Sequence, residues 1–246
     1  MDPTGERLFS EAEMAEMGRR TIDRLNEALD AGDVPRAKEI ARRMHSEFLA
    51  MHDLYRDKAA ALQSFIGRRF GDDVLEEALT DSARSWWLPI LARMPKGKEG
   101  LRQRIKMYVA GLRGHLQPLH IEEDDVCVRV QMRPCGSGGR LVLEGKYEGP
   151  DALYVIRNPH RTTYGRPDFP VYCAHEAPME RLDIEQHGSP MMVVEPARVL
   201  GREPCTFTLY KDPALVPDAA YERLGLARPA AEASDDDDAA GAAQHG

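Results

Sequence analysis

The chain has 246 residues, 42% of them apolar and 30% charged, with a formal net charge of −8. This is ordinary globular composition, with room for one large domain or two small ones. No apolar run approaches the ~20 residues of a membrane span, and no basic region stands ready to neutralise phosphates, so neither membrane nor nucleic acid is expected as a partner.

The opening residues, MDPTGERLFSEAEM, hold no hydrophobic stretch, so no secretory leader is expected. The first 120 residues then read as helices. Ser10 followed by Glu13 makes a capping box, and Met14, Met17, Leu25 and Leu29 keep helical spacing up to Gly32. Asp33 caps a second helix with Pro35 in its first turn. Its stripe of Ile40, Met44, Phe48, Met51, Tyr55, Leu62 and Phe65 runs to Gly67, about 30 residues or ~45 Å. A third helix begins near Asp72, carries Val74, Leu75, Leu79, Trp86 and Trp87, and meets Pro89, which kinks or ends it. A fourth covers residues 99–112.

After His120 the period changes. Val126, Val128, Val130 and Met132 alternate with Cys127, Arg129, Gln131 and Arg133, the pattern of a strand with one buried face. The run Pro134-Cys135-Gly136-Ser137-Gly138-Gly139 signals a turn, with glycines for positive φ, and Leu141, Leu143 and Tyr147 resume a strand. Residues 126–147 therefore read as a hairpin. Residues 153–156 form a short strand, 157–170 a polar loop and 171–173 an extended segment. Pro178 suits the start of a helix and Gly188 its stop. Residues 191–195 and 205–210 are the last strands. Residues 216–246 read as an acidic, disordered tail; within it, 226–246 set Arg228 against Glu232 and four aspartates, a net −4. The expected architecture is α+β: a helical region, 1–120, packed on a small mixed or antiparallel sheet in 121–215.

Four cysteines without a leader point to a reducing cytoplasm rather than to disulfides. Cys135 opens the glycine turn, Cys173 stands two residues before His175, and Cys205 begins a strand. In extended backbone residues i and i+2 share a face, so Cys173 and His175 reach one ion. With Cys135 and Cys205 they make a Cys3His set, the donor chemistry of zinc; thiolates also suit iron or an iron–sulfur cluster. The dipole of the helix near Pro178 favours the thiolate form. A reactive thiol without metal, and inert buried cysteines, stay open as alternatives. Cys127 faces away from the valine stripe and stays outside the set.

Cys173 and Glu176 are the catalytic candidates. A carboxylate beside a metal-bound water serves as general acid or base; Glu176 equally fits a helix N-terminal carboxylate. Arg133 and Arg140 flank the glycine turn and suit a substrate carboxylate through paired hydrogen bonds. His160, Arg161 and Tyr164 lie in the long polar loop, where functional residues gather. No Gly-x-Ser-x-Gly elbow is present, so a serine triad is not expected.

Cys173 with Glu176, then a helix and a strand, then Val199-Leu200-Gly201-Arg202 ahead of Cys205 and Phe207, resemble the C-terminal signature of the L-2-amino-thiazoline-4-carboxylate hydrolase-like family, to which the 4-vinyl reductase domains are distantly related. The resemblance covers residues 173–207. Glu176 stands where that pattern usually has aspartate, His175 is extra, and the Cys-Gly-Ser-Gly-Gly turn has no counterpart in it. The resemblance implies an α+β ligand-binding fold and hydrolysis of a small C–N or C–S bond. The combined expectation is a zinc-dependent hydrolase or lyase for a small polar substrate. The rival is a non-catalytic small-molecule or metal sensor with a structural Cys3His zinc site. Oligomeric state is not legible.

Overall fold

The computed structural model describes residues 8–95 and 97–229. The run of four aspartates lies outside the described residues. The chain divides into two compact units after Asp57.

In the first unit, α1 (Glu11–Met17) starts at the expected capping box. The Ser10 hydroxyl accepts from Glu13 N–H at 3.2 Å, and the Glu13 carboxylate accepts from Ser10 N–H at 2.8 Å. The helical run to Gly32 is not continuous: α1 is capped at Gly18, a poor helix former, and α2 (Thr21–Asp30) starts afresh. Thr21 Oγ1 donates to Glu47 Oε2 at 2.5 Å, tying α2 to α3 (Val34–Phe70).

The second unit takes the last turns of α3 and continues with α4 (Asp72–Leu91) and α5 (Gly97–Arg113). Pro89 falls in the final turn of α4, which ends two residues later. Tyr154 docks where α3 meets α4: its N–H donates to Ser64 Oγ at 2.9 Å and its hydroxyl donates to Asp72 Oδ1 at 2.7 Å. Its ring fills the space beside Gly67, where a Cβ would stand 2.4 Å from a ring carbon. Gly67→Ala is therefore expected to cost about 1–3 kcal/mol by overpacking. Urea denaturation measures it, and an unchanged midpoint would show that the ring yields freely.

A four-stranded antiparallel sheet has the order β1-β2-β6-β5, formed by β1 (Leu119–Glu123), β2 (Cys127–Met132), β5 (Val193–Glu195) and β6 (Cys205–Tyr210). A two-stranded sheet pairs β3 (Val155–Ile156) with β4 (Phe169–Pro170). Alternation sends Val128, Val130 and Met132 of β2 and Phe207 and Leu209 of β6 into the main core. There they meet Trp87, Tyr108 and Leu112 of the helices and Met179 and Leu182 of α7 (Glu176–His187). The fold is α+β, as expected. No helix among the described residues is long and apolar enough to cross a membrane.

Buried carboxylates fasten α7. Glu180 accepts from Val194 N–H at 2.6 Å and from the Tyr164 hydroxyl at 3.2 Å, and pairs with Arg223 at 2.5 Å. Asp183 accepts from Trp87 Nε1–H at 2.8 Å and from Met191 N–H at 3.3 Å.

Further segments depart from expectation. Residues 134–147 are not the second arm of a hairpin: Gly138–Leu143 is the helix α6, and β2 pairs with β1 and β6. Leu141 and Leu143 mimic strand spacing, yet Leu141 is buried and Leu143 exposed, as a separation of about 200° around a helix requires. Residues Val171–His175 form a 3-10 helix rather than an extended segment. Past residue 215 the chain still packs: α8 (Asp218–Glu222) buries Tyr221, and Leu224 follows it into the same cluster.

Candidate functional site

Met132, the last residue of β2, pairs with Cys205, the first of β6. Cys135 follows three residues after Met132, which places both cysteines at one end of the sheet. The 3-10 helix brings Cys173 and His175, and α7 begins with Glu176. All five side chains line a single cavity of about 40 Å³, together with His115, Ser137 and Tyr172. That volume holds an ion or a few waters. All four cysteines of the chain are free thiols.

The glycine turn serves close approach, not a reversal of φ. Neither Gly136 nor Gly138 has a positive φ. A Cβ on Gly138 would stand 2.6 Å from Cys173 Sγ, and one on Gly136 would run into the His115 carbonyl. Only glycine lets α6 start against the thiol.

The shared-face argument for Cys173 and His175 fails, because in a 3-10 helix i and i+2 lie about 240° apart. Both reach the cavity nonetheless. The Tyr172 ring packs edge-on against the His175 imidazole, centroids 5.2 Å apart. His175 Nδ1–H donates to the Tyr172 carbonyl at 2.5 Å, and Nε2 stands 3.3 Å from Glu176 Oε1. Burial disfavours charge on both partners, but their mutual attraction outweighs it. The His175 pKa is raised, and that of Glu176 is lowered. Each group favours the charged form of the other.

The thiols behave oppositely to the helix-dipole expectation. Burial pushes Cys173 well above the usual thiol range, and the neighbouring Cys135, Cys205 and Glu176 add to it. Burial pushes Cys205 up to about 11, although Ala197 N–H donates to its sulfur at 3.4 Å. Apolar surroundings and negative neighbours exceed what one helix terminus supplies. Among the described residues, no group of three or more His, Cys, Asp or Glu side chains sits at metal-ligand spacing.

Three polar members of the cavity carry no signal in the sequence. His115 comes from the segment after α5, and its Nδ1 lies 2.6 Å from Ser137 Oγ; Tyr172 completes the set. Only the folded chain brings them together. Cys127 stays outside, its sulfur 3.9 Å from Asp124 Oδ2.

None of the five residues expected to hold substrate lines this cavity. Arg133 is exposed and donates to Gln131 Oε1 at 3.1 Å. Arg140 pairs with Glu144 along α6 at 3.1 Å. His160 lies 2.9 Å from Thr162 Oγ1 and 3.3 Å from Asp73. Arg161 pairs with Glu76 of α4, and Tyr164 donates to Glu180 of α7. The loop carrying the last three packs on α4 and α7 rather than over the end of the sheet.

The chain matches no protein-family model, no curated protein and no solved structure.

Proposed function

We propose that the cysteine-lined cavity is the working centre of a zinc-dependent hydrolase or lyase for a small polar substrate with a scissile C–N or C–S bond. The observation that carries this reading is the meeting of Cys135, Cys173 and Cys205, from three separate elements, with His175 and Glu176 around one cavity. Sulfur and imidazole are the donors zinc prefers. The Nδ1–H of His175 is already anchored on a backbone carbonyl, the arrangement that leaves Nε2 for a metal. Ala197 N–H on the Cys205 sulfur suits a thiolate.

Cys135, Cys173, Cys205 and His175 would hold the ion by turning inward, with His175 exchanging Glu176 for the metal. Zinc supplies Lewis acidity. Glu176, released from the imidazole, would be placed to carry a proton to or from the substrate. The substrate class rests on the resemblance of residues 173–207 to the L-2-amino-thiazoline-4-carboxylate hydrolase-like family. Elemental analysis of the purified protein, followed by a panel of cyclic and acyclic C–N and C–S compounds, tests the reading. Zinc with turnover supports it, and a metal-free, inactive protein ends it. An iron-rich or coloured anaerobic preparation would replace zinc by iron or an iron–sulfur cluster.

The size of the cavity favours one rival. About 40 Å³ suits an ion better than a substrate, and a full Cys3His set leaves zinc no open position. A sensor module with structural zinc would then hold the metal, show no turnover and lose stability on chelation.

A further inference from the structure

A second cavity, of about 270 Å³, lies among the end of α4, α5, the segment after α7 and the end of β6. It shares no lining residue with the cysteine cavity. Leu91, Met94, Leu101 and Met191 give it apolar walls. Arg104, His187 and Lys211 line it, and no carboxylate does among the described residues, in a chain of net charge −8.

Arg104 is the distinctive member. Its Nη1 donates to the carbonyls of Pro95 at 2.6 Å and Gly97 at 2.9 Å, and it meets no carboxylate among the described residues. Nε and Nη2 remain as donors. Burial without a compensating charge holds its pKa below the ordinary arginine range. Lys211, by contrast, already pairs with Glu123 at 2.8 Å.

We infer that this cavity binds a small organic carboxylate with an apolar body, the carboxylate on Arg104 and the body among Leu91, Met94, Leu101 and Met191. A half-buried guanidinium without a counter-ion gains most from a planar anion that accepts two parallel hydrogen bonds. The apolar walls reward a hydrocarbon portion, and the volume falls near the lower end of the ~300–1,000 Å³ common for small-molecule sites. A cation is repelled by the Arg104 guanidinium, and a bare small anion leaves the walls uncovered.

Titration calorimetry of the full chain with octanoate, octanol, octylamine and acetate tests this. Octanoate is expected to bind, octanol about tenfold or more weakly, and octylamine and acetate not measurably. Arg104→Gln should weaken octanoate about tenfold or more and leave octanol unchanged. Because Arg104 also holds two loop carbonyls, Lys211→Glu serves as a second variant that spares them; it too should weaken octanoate. The inference is overturned if octanoate fails to bind, if octanol binds as well, or if both folded variants bind octanoate as the parent does.

Discussion

Cys173→Ser is expected to cut bound zinc from about one equivalent per chain to background and to abolish turnover with it. Cys173 is the sulfur that feels the other charged and sulfur groups of the cavity most. Burial and the nearness of Cys135, Cys205 and Glu176 keep it protonated without a cation. A divalent ion reverses that balance, because a coordinating thiol is deprotonated outright. A serine hydroxyl does not ionise near neutral pH and offers a poor ligand. Gly138 carries no side chain to crowd residue 173, and the smaller oxygen fits the same space. Cys127→Ser is the matched control: its sulfur lies by Asp124, outside the cavity, and its zinc content should equal the parent's. Glu176→Gln separates the two functional readings. It keeps zinc and loses turnover if the site is catalytic, and changes neither metal content nor ligand response if zinc is structural. Zinc retained in full by Cys173→Ser would remove the cavity from consideration as a metal centre.

What the sequence made legible was local. Ser10 and Glu13 announce a helix start through side chains three residues apart, and Gly188 ends α7 in a left-handed conformation, φ 72°, that few other residues adopt easily. In β6 the sequence alternates Cys205, Phe207 and Leu209 with Thr206 and Thr208, and its bounds, 205–210, are those expected. β1 is missed because four of its five residues are exposed, so no apolar alternation marks it. Val171-Tyr172-Cys173 carries strand-forming side chains, but the helix that follows extends backward into it as a 3-10 turn. The cavity is legible in part for the same reason. Cysteines at element ends advertise themselves, whereas His115 and Ser137 meet only because the segment after α5 passes under the glycine turn. Arg161 and Tyr164 look like ligand-binding residues in the sequence. In the fold each answers a buried carboxylate, Glu76 and Glu180, that no local pattern pairs with it.

The buried carboxylates of α7, Asp183 and Glu180, carry the second large expectation: the free energy of unfolding should fall as pH rises from about 4 to about 7. Burial pushes Asp183 from an ordinary value of 3.8 to about 7, against the hydrogen bonds from Trp87 and Met191. Burial likewise raises Glu180, against the pull of Arg223, Val194 N–H and Tyr164. A raised acid binds its proton more tightly in the folded chain than in the unfolded one. Its stabilisation is complete below the unfolded pKa and is lost as pH climbs through the folded one. For Asp183 alone this amounts to roughly 4 kcal/mol across the window. Asp183→Asn keeps an acceptor for Trp87 Nε1–H and has no proton to lose. Its stability should therefore be flatter from pH 4 to 7 and exceed the parent's above pH 7. A slope identical to the parent's would mean that Asp183 is ionised throughout. Glu180→Ala acts differently. It leaves the partly buried Arg223 guanidinium and the Val194 N–H without their acceptor, so a loss of about 1–3 kcal/mol is expected. Urea denaturation at several pH values measures both effects, and the two differ in kind because only Glu180 has a cation partner to leave behind.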